Sequence, residues 1–226
     1  MTNVASGLLT AGTLELFTAK TRDKLLATSL ILFNQRGFEA VTTAAIAERS
    51  GVLEGSLWYH FRTKKDLLAA HIELLQKVFA VVNSEDDSED AAVIINGIFR
   101  AYDVIWDFRY LMRDDFRNLL ETKDETLHAV QSVNDFMDDW TAGRLSHAET
   151  HGMLNFTEDE VDNISEIILM IGRYWMDFSY KKYPEEQDVK LRRKGIKHIF
   201  TVLRPFLSDD AIGLIEARVR SNGLEE

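Results

Sequence analysis

The chain contains no cysteine, which excludes disulfides, thiol catalysis and thiolate metal sites. Proline is nearly absent, with Pro184 and Pro205 the only two in 226 residues. With so few helix breakers, and no alternating apolar and polar run bounded by turn residues, nothing in the chain asks for a sheet. No run of 18 apolar residues occurs, so a membrane-spanning helix is not expected. The first twenty residues lack a basic start followed by an apolar core, which argues against a secretion signal. Basic residues are in short supply: 26 Lys and Arg face 37 Asp and Glu, for a net charge of −11. Spread evenly, that charge would repel nucleic acid. Apolar residues, at 46%, are plentiful enough for a sizeable core in one compact domain plus a smaller one.

The charge is not spread evenly. Residues 20–66 hold eight basic side chains against five acidic ones, so this stretch carries +3 while the rest holds −14. Phosphate contact is thereby confined to a small basic head, and non-specific binding should be weak. Inside the head, residues 42–61 (TTAAIAERSGVLEGSLWYHF) read as a helix-turn-helix. Ala47 sits where two helices cross and little more than a methyl fits. Gly51, four residues on, falls in the turn, where a backbone without a side chain can take positive φ. Ile46, Val52 and Leu57 supply the core that locks the two helices. Glu54, Ser56, Trp58, Tyr59 and His60 are left facing outward.

Around this motif, residues 22–70 resemble the N-terminal domain of the TetR/AcrR transcriptional regulators. The residues that carry the resemblance are Leu26, Leu30, Phe33 and Gly37-Phe38, then GSLWYHF at 55–61 and TKKDLL at 63–68. The rest of the chain agrees in length and helical layout only, although RYLMRD at 109–114 is similar to one branch of the family. The resemblance implies an all-α fold: an N-terminal three-helix DNA-binding head joined to a larger helical body for ligand binding and dimerisation. The expected division is an arm at 1–20, a head at 21–68 and a body at 69–226.

Carried over position by position, the family's contact pattern falls on Thr43, Ser56, Trp58, Tyr59, His60 and Lys64, with Glu54 and Gly55 completing the surface of the recognition helix. Thr43 and Lys64 open the helices on either side, where hydroxyl, ammonium and exposed N–H groups would meet phosphate. Tyr59 and Ser56 are the expected readers of base edges or thymine methyls. Three departures stand out. Trp58 replaces the usual tyrosine, Ala44 stands where many relatives have arginine, and Leu53 takes the place of a capping serine, worth about 1 kcal/mol. Glu54 repels phosphate but can accept a hydrogen bond from cytosine N4, which suggests C-selective readout.

Beyond the head the pattern stays helical. Leu14, Leu16 and Phe17 of the arm either dock or belong to a disordered tail. One helix is expected from about Lys64 to Val82, followed by an acidic break, NSEDDSED, at 83–90. Ala92, Ile95, Phe99, Tyr102 and Trp106 recur at helical spacing, and further helices are expected over 109–121 and 124–146, with a loose stretch between Gly143 and Gly152. Thr157 with Glu160 forms a capping-box pattern. It opens a long helix striped by Val161, Ile164, Ile168, Ile171, Trp175 and Phe178, and a following helix repeats the stripe through Ile196, Ile199, Phe200 and Leu203. By the resemblance these two helices form a dimer seam, although a stripe facing the body's own core looks the same.

The resemblance also implies an effector pocket in the body, to which Trp106, Phe108, Tyr110, Phe116, Trp140, Arg173 and Trp175 could contribute. Asp177, four residues on, is the simplest partner for Arg173. Arg109, Arg113 and Arg117 are spaced by four, as on a solvated face paired with acids such as Glu121, or one that meets an anionic ligand. His147 and His151 have helical spacing, but glycines crowd them and no metal site is expected. Neither a nucleophile setting nor a phosphate-cradling loop is present, so no enzyme and no cofactor are expected. The expected protein is a cytoplasmic, homodimeric repressor that binds a palindromic double-stranded operator and is released by a small-molecule effector. The alternative is the same scaffold used as a DNA-tethered interaction factor, for example in cell division or replication.

Overall fold

The computed structural model describes residues 8–84, 89–113 and 125–221. Among them there is no strand, only an isolated antiparallel bridge between Leu154 and Leu207. By packing, the chain separates into two compact units. One takes 8–79 with 103–113 and 125–133; the other takes 80–84, 89–102 and 134–221.

The first unit is built on α2, Thr21–Arg36, whose Leu25, Leu26, Leu30, Ile31, Leu32 and Phe33 are all buried. Gly37 stops it at φ 81°, a conformation that favours glycine. Ahead of it lies a single turn, α1, Ala11–Leu14. Leu9, Thr13 and Phe17 are buried, so this part of the arm docks, while residues 1–7 lie outside the described residues. Then follow α3, Thr43–Ser50, α4, Glu54–His60, and α5, Lys64–Ser84. The helix α6, Ala91–Asp107, ends at a short turn before α7, Tyr110–Arg113. The helix expected over 109–121 is seen only as that turn, since 114–124 lie outside the described residues, as do 85–88 of the acidic break.

A buried polar network ties α2 to the 107–110 corner. The Asn34 side chain donates to the Asp107 carbonyl at 2.6 Å and accepts from the Tyr110 N–H at 3.1 Å. The Asp107 carboxylate accepts from the Thr10 N–H at 2.8 Å and from its hydroxyl at 2.6 Å, which holds the arm. His71 of α5 is fully buried, with Nε2 3.0 Å from the Leu26 carbonyl and Nδ1 2.8 Å from the Tyr110 hydroxyl. A carbonyl can only accept, so Nε2 carries the proton and Nδ1 accepts from Tyr110. Burial pushes the His71 pKa down to about 4 from 6.5, against the opposing pull of the Leu26 carbonyl. Arg109 departs from the solvated stripe expected of it. It is 1% exposed, with Nη1 donating to the Trp106 carbonyl at 2.8 Å and the guanidinium 5.0 Å from the Trp106 ring centre. The side chain of Arg113, and Arg117 and Glu121 altogether, lie outside the described residues.

The second unit centres on α9, Glu158–Lys182, and α10, Asp188–Leu203, which pack against each other. The expected capping box is present at the start of α9, with the Thr157 N–H donating to the Glu160 carboxylate at 2.7 Å. Trp175 lies between the two helices, donating to the Leu191 carbonyl at 2.8 Å and meeting the His198 ring edge-on at 4.6 Å. Gly195 lets the crossing close. A Cβ there would stand 1.8 Å from the Tyr102 hydroxyl and 2.5 Å from Trp175 Cδ1. The preceding helix, α8, Glu125–Thr150, runs straight through Gly143, where a loose stretch was expected. An interior glycine costs a helix only about 1 kcal/mol, and burial of Leu145 and Ala148 offsets that. The positive φ of 68° comes later, at Gly152. A 3-10 turn, Arg204–Phe206, leads into the last helix, α11, Asp209–Ser221.

Gly195→Ala should destabilise the chain by about 1–3 kcal/mol through overpacking, read from urea unfolding. His71 is neutral in both states above pH 6.5. Between 6.5 and about 4 the unfolded chain takes up a proton that the folded one refuses. Stability should therefore fall with pH across that window, by up to about 1.4 kcal/mol per unit from this group. His71→Asn should flatten that part of the profile.

Candidate DNA interface

The recognition helix is positioned by a close crossing. Thr42 caps α3, its hydroxyl accepting from the Ala45 N–H at 3.2 Å. Ile46 and Ala47 are buried, and α3 ends at Gly51 in the left-handed region, φ 68° and ψ 31°. There the Val52 N–H turns back to the Ala47 carbonyl at 3.1 Å. The chain re-enters a helix at Glu54, and Leu57, fully buried, fixes its inner face. The helix ends at His60, followed by the buried Phe61. Both ends of the recognition helix match the expectation from sequence.

The outer face is open. Tyr59 is 84% exposed and Trp58 45%, and the ring of His60 meets Tyr59 edge-on at 5.1 Å. Gly55 is exposed and Ser56 half-buried on the same seven-residue helix. Leu53, at the cap position, gives no side-chain cap. Glu54 is tied sideways, accepting from the Thr43 hydroxyl at 3.2 Å. The Thr43 hydroxyl thus spends its proton on Glu54, which leaves it lone pairs rather than a donor for phosphate.

Lys64 requires a correction. Its ammonium donates to three carbonyls, those of Phe38 at 2.7 Å, Glu39 at 3.0 Å and Val41 at 3.0 Å, and sits 4.5 Å from the Phe38 ring centre. All three N–H donors are committed, so the side chain bolts α5 to the turn after α2 and is not available as a phosphate contact. Partial burial lowers its pKa, partly opposed by Glu39. The start of α5 is also sealed by Asp66, which accepts from the N–H groups of Arg62 and Thr63 and from the Thr63 hydroxyl. The signal for this was legible as Thr63-x-x-Asp66. Exposed cations of this region are Arg62 and Lys65.

The described residues among those assigned to an effector pocket are buried or engaged by near neighbours. Trp106 and Phe108 are buried in the first unit, and Tyr110 is buried there on His71. Phe116 lies outside the described residues. In the second unit Trp140 is half-buried, with the Arg144 guanidinium 6.0 Å from its ring centre. Arg173 pairs with Asp138 at 2.5 Å, not with Asp177, which instead holds Lys181 at 2.5 Å.

The stripe assigned to a dimer seam is mostly internal. Ile164, Trp175, Ile196, Ile199 and Leu203 are buried, and Ile168, Ile171 and Phe200 are half-buried. Phe178 alone of that set is exposed, and it continues a different line with Tyr174 and Met170 at spacings of four, exposed by 49%, 74% and 48% respectively. Spacing could not distinguish an inward from an outward stripe, and the helix carries both. Among the described residues no helix is long and apolar enough to cross a membrane, and no cluster of three His, Asp or Glu could hold a metal.

Comparison with known proteins agrees with this geometry. Residues 25–71 match the sequence model of bacterial regulatory proteins, tetR family, and residues 71–212 match that of the TetR bacterial transcriptional repressor. The chain belongs to the TetR family. Regulators of the TetR family are DNA-binding transcription factors, not enzymes. The tetracycline repressor protein class C of Escherichia coli is 33% identical over 76 residues, 34% of this chain and 35% of that one. The chain thus spans about a third of that relative's length. The biofilm operon icaADBC negative transcriptional regulator IcaR of Staphylococcus epidermidis is 23% identical over 192 residues, 82% of this chain and 98% of that protein. A solved TetR-family transcriptional regulator from Marinobacter aquaeolei VT8 superposes with a TM-score of 0.64 at 25% identity, covering 89% and 98% of the two chains.

Lys64→Met should cost the folded chain about 1–3 kcal/mol, because three carbonyls lose their donor. Urea unfolding reads this, and the salt dependence of DNA binding should stay unchanged.

Proposed function

We propose that this TetR-family chain is a homodimeric repressor that reads a palindromic DNA operator and is released by a small molecule bound in its body. The observation that carries the reading is the recognition helix, Glu54–His60, with Leu57 fully buried beneath it and Tyr59 84% exposed above. It sits in a stretch, residues 20–66, that carries a net charge of +3 on a chain of net charge −11. Tyr59, Trp58 and Ser56 reach base edges in the major groove, and Gly55 lets the backbone approach. Glu54, steadied by Thr43, accepts from an exocyclic amine. Exposed Arg62 and Lys65 take the phosphate contacts that Lys64 cannot.

Pairing of two heads gives the palindrome. The exposed line Met170, Tyr174 and Phe178 is the seam that suits a second copy, with two half-sites about one DNA turn apart. Effector binding acts through α5, which leaves the head at Lys64 and runs to Ser84. A change in its tilt alters the head spacing, and a coupling of a few kcal/mol suffices. The protein works where the chromosome is, in the cytoplasm. Nothing in its relatives supports an interaction scaffold without an effector.

Selection of DNA by the purified chain at physiological salt tests this reading. A short palindromic consensus is expected, with affinity reduced at least about fivefold by Tyr59→Ala, as loss of about 1–3 kcal/mol of base contact implies. Recovery of no consensus, or a consensus indifferent to Tyr59, would contradict it.

A further inference from the structure

Leu53 stands at the cap of the recognition helix and is 82% exposed. A serine, threonine, aspartate or asparagine there would stabilise the helix, whereas leucine contributes no cap and places a large apolar side chain in water. Among the described residues of the first unit, the large exposed apolar side chains are Leu53, Trp58 and Tyr59, all on or beside this one short helix. The neighbouring Glu54 decides where this end of the helix can settle. Its carboxylate, held by the Thr43 hydroxyl at 3.2 Å, repels the sugar–phosphate backbone, so the tip is driven toward the base edges. There the acid finds amine donors. The one apolar feature that the major-groove edges present is the C5 methyl of thymine.

We infer that Leu53 is a specificity-determining residue that packs on a thymine methyl, one base pair from the pair that Glu54 reads. The inference rests on the DNA-reading function proposed above. It makes the operator carry, in each half-site, a thymine whose methyl group matters, next to a base pair that offers an exocyclic amine. The helix forgoes a cap in exchange for this contact.

The test uses the selected operator with each thymine replaced in turn by uracil, which removes only the methyl. The full-length wild type should lose about fourfold in affinity at one position of each half-site, the effect of one buried methyl group. Leu53→Ser restores a capping side chain, so it should fold at least as well, confirmed by thermal unfolding. It should bind thymine and uracil equally at that position while keeping any discrimination elsewhere. Leu53→Met, similar in volume and apolar, should retain the discrimination. A uracil profile that is the same for wild type and Leu53→Ser overturns the inference and leaves the DNA-reading function standing. Selection that returns no consensus removes both.

Discussion

What the head can present to DNA depends on how closely α3 and α4 cross. Ala47, 2% exposed, keeps the crossing tight, and Gly51 accepts a left-handed backbone that would cost another residue about 1–2 kcal/mol. Burial of Ile46 and Leu57 then locks the angle, each worth about 1.5–3 kcal/mol. With Leu57 fixed inward, the helical repeat leaves Trp58 and Tyr59 no place but the surface. A larger residue at 47 would push α4 outward, and the aromatic tip would lose its aim before the domain lost its fold.

The second constraint is polar. Asn34 and His71 are buried among apolar side chains, yet each is satisfied, the first by the backbone at 107 and 110 and the second by Leu26 and Tyr110. Directional bonds of this kind tolerate less sliding than apolar packing does, because a displaced partner leaves a buried group unsatisfied. The first helix of the head and the corner after α6 therefore form a unit that shifts together or not at all. A shift in that corner is in this way felt by α2, and through it by the crossing that aims α4.

The recognition helix was legible to the residue, because Gly51, Leu57 and the run to Phe61 are local signals with one local solution. So was the capping box at Thr157, for the same reason. Long-range polar partners were not legible. Lys64 reads as a free cation at a helix start, and only the folded turn brings three carbonyls under its ammonium. Arg173 has an acid four residues away, but Asp138 on another helix takes it. Arg109 has the spacing of a solvated stripe and is buried, since the chain turns sharply after Asp107. The long stripe of α9 stayed open in the sequence for a different reason. Periodicity reveals that a face is apolar without revealing which side of the helix the core occupies, and here Trp175 points in while Tyr174 points out.

The proposed function confines DNA contact to a small head of net charge +3, while the rest of the chain sums to −14. Hydrogen exchange of the full chain, with and without a bound duplex, tests it directly. Slowed exchange is expected over residues 43–61, with the amides of α10 and α11 unchanged. Protection in those body helices, with 43–61 unaffected, would contradict it.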